Sequence, residues 1–252
     1  MQHKQSAQRL AQLHIKGNPL ILYNAWDAGS AKAIAKAGAS AIATTSWAVA
    51  AAHGYADGES IPFAFVEQII ARIAGAVDLP VSVDVEGGYS TEPQTCAANV
   101  ARLLEHGVAG INFEDRVVGG KGLHPIDAQC RRIEAIRAMA EARGIALFIN
   151  ARTDVYFGSG IAAEQAPVEV RARAKAYAEA GASGLFVPGI VDLQAIGALC
   201  NDVTLPVNVM MMAGLPGTRE LADAGVARIS HGPSAFLEAM NCVEKAARGV
   251  LA

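Results

Sequence analysis

Four stretches decide the fold: AKAGASAIATT (residues 35–45), EHGVAGINFED (105–115), EAGASGLFVPG (179–189) and DAGVARISHG (223–232). In each, an Ala-rich or charged run stops at a glycine, namely Gly38, Gly107, Gly181 or Gly225. Glycine enters the left-handed conformation without a Cβ penalty, so it is the residue that ends a helix there. A short apolar run begins within three residues. Four further runs read as strands: PLILYN (19–24), LPVSVDVE (79–86), GIALFINA (144–151) and LPVNVM (205–210). These runs lack clean polar alternation, which predicts strands covered on both faces. About eight strands, each followed by a helical segment, predict an α/β (β/α)8 TIM-type barrel. A doubly wound sheet is the competing architecture, but strand one runs into Asn24-Ala25-Trp26-Asp27 with no G-x-G-x-x-G turn. Residues 1–252 read as one barrel domain, with about 233–252 as a C-terminal helical extension.

Composition narrows the function classes. Among 252 residues, 52% are hydrophobic and 18% charged, which excludes intrinsic disorder. Lys plus Arg (21) fall just below Asp plus Glu (24), and no basic block occurs, so nucleic acid has no electrostatic footprint. No apolar run approaches the ~20 residues of a membrane helix, and the first residues, MQHKQSAQRLAQLHIKG, lack a signal core. Cys96, Cys130, Cys200 and Cys242 stand far apart with no C-x-x-C, which argues against structural zinc and fits a reducing cytoplasm.

A barrel gathers its chemistry at the carboxyl ends of the strands, so the side chains ending each run are the candidates. Strand one ends at Tyr23, Asn24 and Asp27, strand two at Thr44, Thr45 and Ser46, and strand three at Asp84 and Glu86. Strand four ends at Glu114 and Asp115, strand five at Asn150, Arg152 and Asp154, strand seven at Asn208, and strand eight at Ser230 and His231. Asp84 and Glu86, two apart, share a face if the strand runs through both. With Glu114 on the next strand they form a carboxylate cluster, which needs a shared proton or a cation. Oxygen-only ligands at this charge density favour Mg²⁺ or Mn²⁺, with part of the set acting through water. The plain alternative is that these acids cap the following helices. Arg152 is the counter-charge, paired to a protein carboxylate or holding an anionic ligand. Glycines after strands two to four, including those of GGKGLH (119–124), predict a mobile loop.

Five blocks, LYNAWDAGSAKAIAKAGASAIATTSWAVAAAHGYADGES (22–60), VSVDVEGGYS (81–90), GINFEDR (110–116), FINARTD (148–154) and GLFVPG (184–189), together resemble the phosphoenolpyruvate mutase/isocitrate lyase superfamily. The resemblance implies a modified (β/α)8 barrel that binds Mg²⁺ and makes or breaks C–C or P–C bonds in small 2-oxo or 2-hydroxy carboxylates, through an enolate held on the metal. It implies Asp84 as the principal metal-binding aspartate, Glu86 at a second acidic position, Glu114 orienting metal-bound water, and Arg152 contacting substrate. Asp57 matches an aspartate implicated in catalysis, Ser46 lies in the substrate-binding segment, and Tyr23 and Asn208 lie where they could line the pocket.

Two departures matter. True isocitrate and methylisocitrate lyases carry K-[KR]-C-G-H after strand four, whereas this chain has RVVGGKGLHPIDAQ (116–129) and no cysteine before Cys130. Lys121 and His124 remain as possible loop acids, and His231 and His53 as acid-base candidates. Trp47 follows Ser46 where many relatives have glycine, and tryptophan tolerates a positive φ poorly, which predicts a narrower pocket. The expectation is a Mg²⁺-dependent C–C bond enzyme for a small 2-oxo acid. The alternatives are a P–C bond enzyme of the phosphonopyruvate hydrolase or mutase type, or a non-catalytic 2-oxo acid binding barrel. The resemblance also implies a homotetramer or dimer, with PSAFLEAMNCVEKAARGVL (233–251) exchanged between subunits or covering its own barrel.

Overall fold

The computed structural model describes residues 2–251. Helix α1 (Gln2–Gln12) precedes strand β1 (Leu20–Leu22), and α2 (Ala28–Lys36) leads to β2 (Ile42–Ala43). Two helices, α3 (Ser46–Ala52) and α4 (Phe63–Ala74), separate β2 from β3 (Val81–Asp84). Single helices then alternate with strands: α5 (Pro93–Leu104), β4 (Gly110–Glu114), α6 (Ile126–Ala142), β5 (Phe148–Arg152), α7 (Ala166–Glu179) and β6 (Gly184–Phe186). The chain finishes with α8 (Leu193–Asp202), β7 (Val207–Met210), α9 (Thr218–Asp223), β8 (Arg228–Ser230) and α10 (Ser234–Leu251). None of the described helices is long and apolar enough to cross a membrane.

All strand pairings are parallel, in the order β1-β8-β7-β6-β5-β4-β3-β2. A parallel bridge between Ala25 and Thr44 brings the two end strands together, so the sheet is a (β/α)8 barrel. The four helix-ending glycines have φ between +82° and +98°, as the sequence predicts.

The strands carry two faces with different chemistry. Val83, Ile111, Phe113, Ile149, Leu185 and Val209 turn outward into the main core beneath the helices. Their neighbours Ser82, Asn112, Asn150 and Asn208 are buried polar residues facing the interior. Strands three, four, five and seven therefore do alternate, contrary to the reading that these runs lack clean polar alternation, because the interior of this barrel is polar in its upper half. The lower end is apolar. Leu10 of α1 plugs it with Leu20, Leu22, Ala43 and Phe148. A Cβ on Gly110 would stand 2.6 Å from the Leu10 side chain, so this plug requires glycine at that strand position.

Candidate active site

The end of β3 shapes the site. Asp84 is the last strand residue, and its Oδ2 accepts from the Ser46 N–H (3.2 Å) and the Ser46 hydroxyl (2.9 Å) at the first turn of α3. Its Oδ1 is buried with no hydrogen-bond partner among the described residues. The strand stops there, so Glu86 does not reach the mouth by simple alternation. Glu86 and Tyr89 have φ of 50° and 59°, uncommon for non-glycine residues, and Gly88 lies between them at 82°. Three left-handed residues among the four at 86–89 turn the chain back, and Thr44, Ser46, Asp84, Glu86 and Tyr89 line one small cavity.

Glu59 holds that turn, and the sequence reading did not single it out. Its N–H donates to Glu86 Oε2 (2.9 Å), and its Oε1 accepts from the Tyr89 N–H (2.7 Å). Arg132 of α6 supports the turn from below, donating to the Gly87 carbonyl and stacking over Phe113. No local signal marks Glu59, because its role depends on a loop meeting the end of a strand 27 residues away.

Burial and the neighbouring Asp84 and Asp57 charges push the Glu86 carboxyl up to about 8. Asp57, on the exposed loop after α3, is also raised, by partial burial of its carboxyl and by Asp84, with Arg152 and Arg116 opposing. Glu114 at the end of β4 is raised as well, chiefly by burial. Its partner is Arg152 at the end of β5, whose Nη1 lies 3.0 Å from Glu114 Oε2. Arg152 Nε and Nη2 donate to the two Asp154 oxygens at 2.6 and 2.9 Å. Burial works against the Arg152 cation, but Glu114 and Asp154 outweigh it and hold its pKa above the ordinary value.

A deeper network aims this clamp. Asp115, fully buried, accepts from the Asp154 N–H through Oδ1 (3.1 Å). Its Oδ2 accepts from Arg173 Nη1 (3.0 Å) and the Tyr177 hydroxyl (2.7 Å), both on α7. The loop after β4 is tied down at its base, where Arg116 bridges Leu123 and the His124 N–H donates to the Asp115 carbonyl. Lys121 is exposed at the tip of this loop, and Cys130 lies on α6.

The structure thus brings Ser46, Asp57, Asp84, Glu86, Glu114 and Arg152 to one end of the barrel and sends four other candidates elsewhere. Tyr23 continues the outward face of Ile21, and its hydroxyl donates to Glu238 of α10 (2.6 Å). Trp47 sits inside right-handed α3, so no positive φ arises, and its ring packs edge-on to Phe236 of α10 at 6.0 Å. Asn208 is buried below the mouth with both ends of its amide bonded to the Ser230 hydroxyl. His231 packs against Tyr23 on the α10 side. Of the acids at strand ends, only Asp27 acts as a helix cap, on α2.

Among the described residues no group of three or more His, Cys, Asp or Glu side chains could by itself hold a metal ion. The donor set still fits Mg²⁺, which takes one or two carboxylates and keeps several waters. Asp84 Oδ1, buried without a hydrogen-bond partner among the described residues, is the atom of this set that could serve as a direct ligand.

Residues 10–251 match the family model described as phosphoenolpyruvate phosphomutase. The chain is 36% identical over 238 residues to an uncharacterized protein of Mycobacterium tuberculosis, covering 94% of this chain and 87% of that protein. It is 32% identical over 236 residues to the 2-methylisocitrate lyase of Escherichia coli K12, covering 90% and 77%. A solved structure from Burkholderia cenocepacia J2315, named for a phosphonomutase, superposes with a TM-score of 0.95 at 44% identity over 98% of this chain and 99% of that one. The protein belongs to the phosphoenolpyruvate mutase/isocitrate lyase superfamily.

Proposed function

We propose that this protein is a Mg²⁺-dependent enzyme that cleaves a carbon–carbon bond in a small 2-oxo carboxylate, by decarboxylation, hydrolysis or retro-aldol chemistry. The observation that carries the reading is Asp84: Ser46 fixes one carboxylate oxygen, and the other is buried without a partner among the described residues, beside Glu86 and near the Arg152–Glu114 pair. A bound Mg²⁺ would supply Lewis-acid polarisation of the substrate's carbonyl and carboxylate oxygens. Arg152, held by Glu114 and Asp154, presents a fixed positive charge to the negative charge that develops as the bond breaks. Glu114 and Asp57, both raised above ordinary carboxyl values, are the candidate proton-transfer groups of the set. The lyase activity named for the Escherichia coli relative supports C–C chemistry. The test is purified protein with Mg²⁺ and a panel of 2-oxo and 2-hydroxy di- and tricarboxylates. Turnover abolished by EDTA is expected, and no turnover of any panel member overturns the reading.

The second reading is P–C bond chemistry, favoured by the phosphonomutase name of the 44% identical structure. Phosphorus NMR of phosphonopyruvate incubated with the protein separates the two.

For partners, the reading is a homo-oligomer. Helix α10 buries only Ala235 and Phe236 and exposes Leu237, Met240 and Val243. A groove of about 690 Å³ lies beside β1, lined by Leu13, Ile15, Ile21, Tyr23, Ile34 and Ala37 among others. Two uncovered apolar surfaces on one chain support a second copy supplying the cover.

A further inference from the structure

The interior layer beneath the mouth is unlike an ordinary barrel filling of bulky branched residues. Ser82, Asn112, Asn150, Asn208, Arg228 and Ser230 occupy it, each no more than 4% exposed. Arg228 is the one cation of this set and is fully buried at the start of β8. It reaches across the barrel, because β4 stands opposite β8 in the ring, and its Nη2 donates to Asn112 Oδ1 at 3.1 Å. Its Nε donates to Ser230 Oγ at 3.3 Å, and its Nη1 has no partner among the described residues.

A guanidinium taken out of water is costly unless a counter-ion faces it. No carboxylate is in ion-pair contact with Arg228 among the described residues. Burial lowers its pKa to about 9, and the anion that opposes this is Asp84, above it at the mouth. Asn112, which contacts Arg228, is the register partner of Asp84 on β4, and its Oδ1 also accepts from Asn150 Nδ2 (2.9 Å).

We propose that Arg228 is a positioning residue of this site: a buried cation that fixes Asn112 and sets the potential under Asp84, strengthening the binding of an anionic substrate and weakening that of a divalent cation. The proposal rests on the Mg²⁺ and 2-oxo carboxylate reading given above. Its signature is a pair of opposite effects, which a merely structural role does not produce. Removing a positive charge from beneath the mouth tightens cation binding and loosens anion binding, each by roughly threefold to tenfold for a charge acting across the barrel interior.

The experiment is titration of wild type, Arg228→Met, Arg228→Gln and Arg228→Lys with Mn²⁺ alone, read by electron paramagnetic resonance, and with oxalate at saturating Mn²⁺, read by calorimetry. The Met and Gln variants are expected to bind Mn²⁺ more tightly and oxalate more weakly, with Lys close to wild type in both. Affinities that fall together, or that do not move, in the neutral variants overturn the proposal. A wild type that binds neither Mn²⁺ nor oxalate overturns the reading of the site along with it. Should neither neutral variant fold, Asp84→Asn and Glu86→Gln carry the test through melting temperature. Loss of the charge facing Arg228 is expected to lower it for Asp84→Asn, whereas relief of acid repulsion raises it for Glu86→Gln. A rise for both overturns the proposal.

Discussion

At Ser46, one side chain and one backbone N–H converge on the same carboxylate oxygen of Asp84. That arrangement was half legible in the sequence: Ser46 and Asp84 both fall at predicted strand ends, but their contact depends on β2 and β3 pairing in register, with Ala43 opposite Ser82. Groups that orient a ligating carboxylate typically matter ten- to a hundredfold in metal affinity. Ser46→Ala is therefore expected to weaken Mn²⁺ binding roughly tenfold, with Ser46→Thr restoring most of it. Equal affinity in a Mn²⁺ titration of wild type and the alanine variant would show that Asp84 is held without the hydroxyl. Glu59 and Tyr23 show what a single position cannot reveal. Glu59 matters through a loop folded onto Glu86. Tyr23, although at a strand end, is on the outward face of β1.

The helix α7 illustrates positioning by an element. Arg173 and Tyr177 are four residues apart, so they share one helical face, and both reach Asp115 Oδ2. Through the other oxygen of Asp115 they fix the Asp154 backbone, and through Asp154 the Arg152 guanidinium. Tyr177→Phe removes a buried hydroxyl donor while keeping the ring, which costs about 1–3 kcal/mol. Urea unfolding should show that loss, and the variant should also lose turnover because the clamp on Arg152 loosens. Unchanged stability would mean that Arg173 alone satisfies Asp115. The spacing of Arg173 and Tyr177 was visible in the sequence, but no reading of it pointed to the site, because Asp115 lies 62 residues from Tyr177 and meets it only after β4 and β5 pair.

At the scale of the molecule, the ring of strands is covered by helices except beside β1, where Ile21 and Tyr23 remain partly exposed, while α10 projects with its own apolar residues uncovered. If copies of the chain share these surfaces, charge on the α10 stripe must separate them. Light scattering after size exclusion is expected to give a multiple of the chain mass for wild type and the single-chain mass for Met240→Asp combined with Val243→Asp. A wild type of single-chain mass would rule out the oligomer.

Local physics in the sequence was enough to determine the barrel: glycine stops at 38, 107, 181 and 225, eight short apolar runs, and acids and an arginine clustered at their carboxyl ends. Helix ends and strand periodicity depend on neighbours a few residues away, so they can be read along the chain. The left-handed turn that carries Glu86, the outward face of Tyr23, the burial of Asn208 and the cation at Arg228 were decided only in three dimensions. Each depends on which strands lie side by side or opposite in the closed ring, and on the low-dielectric interior that closure creates.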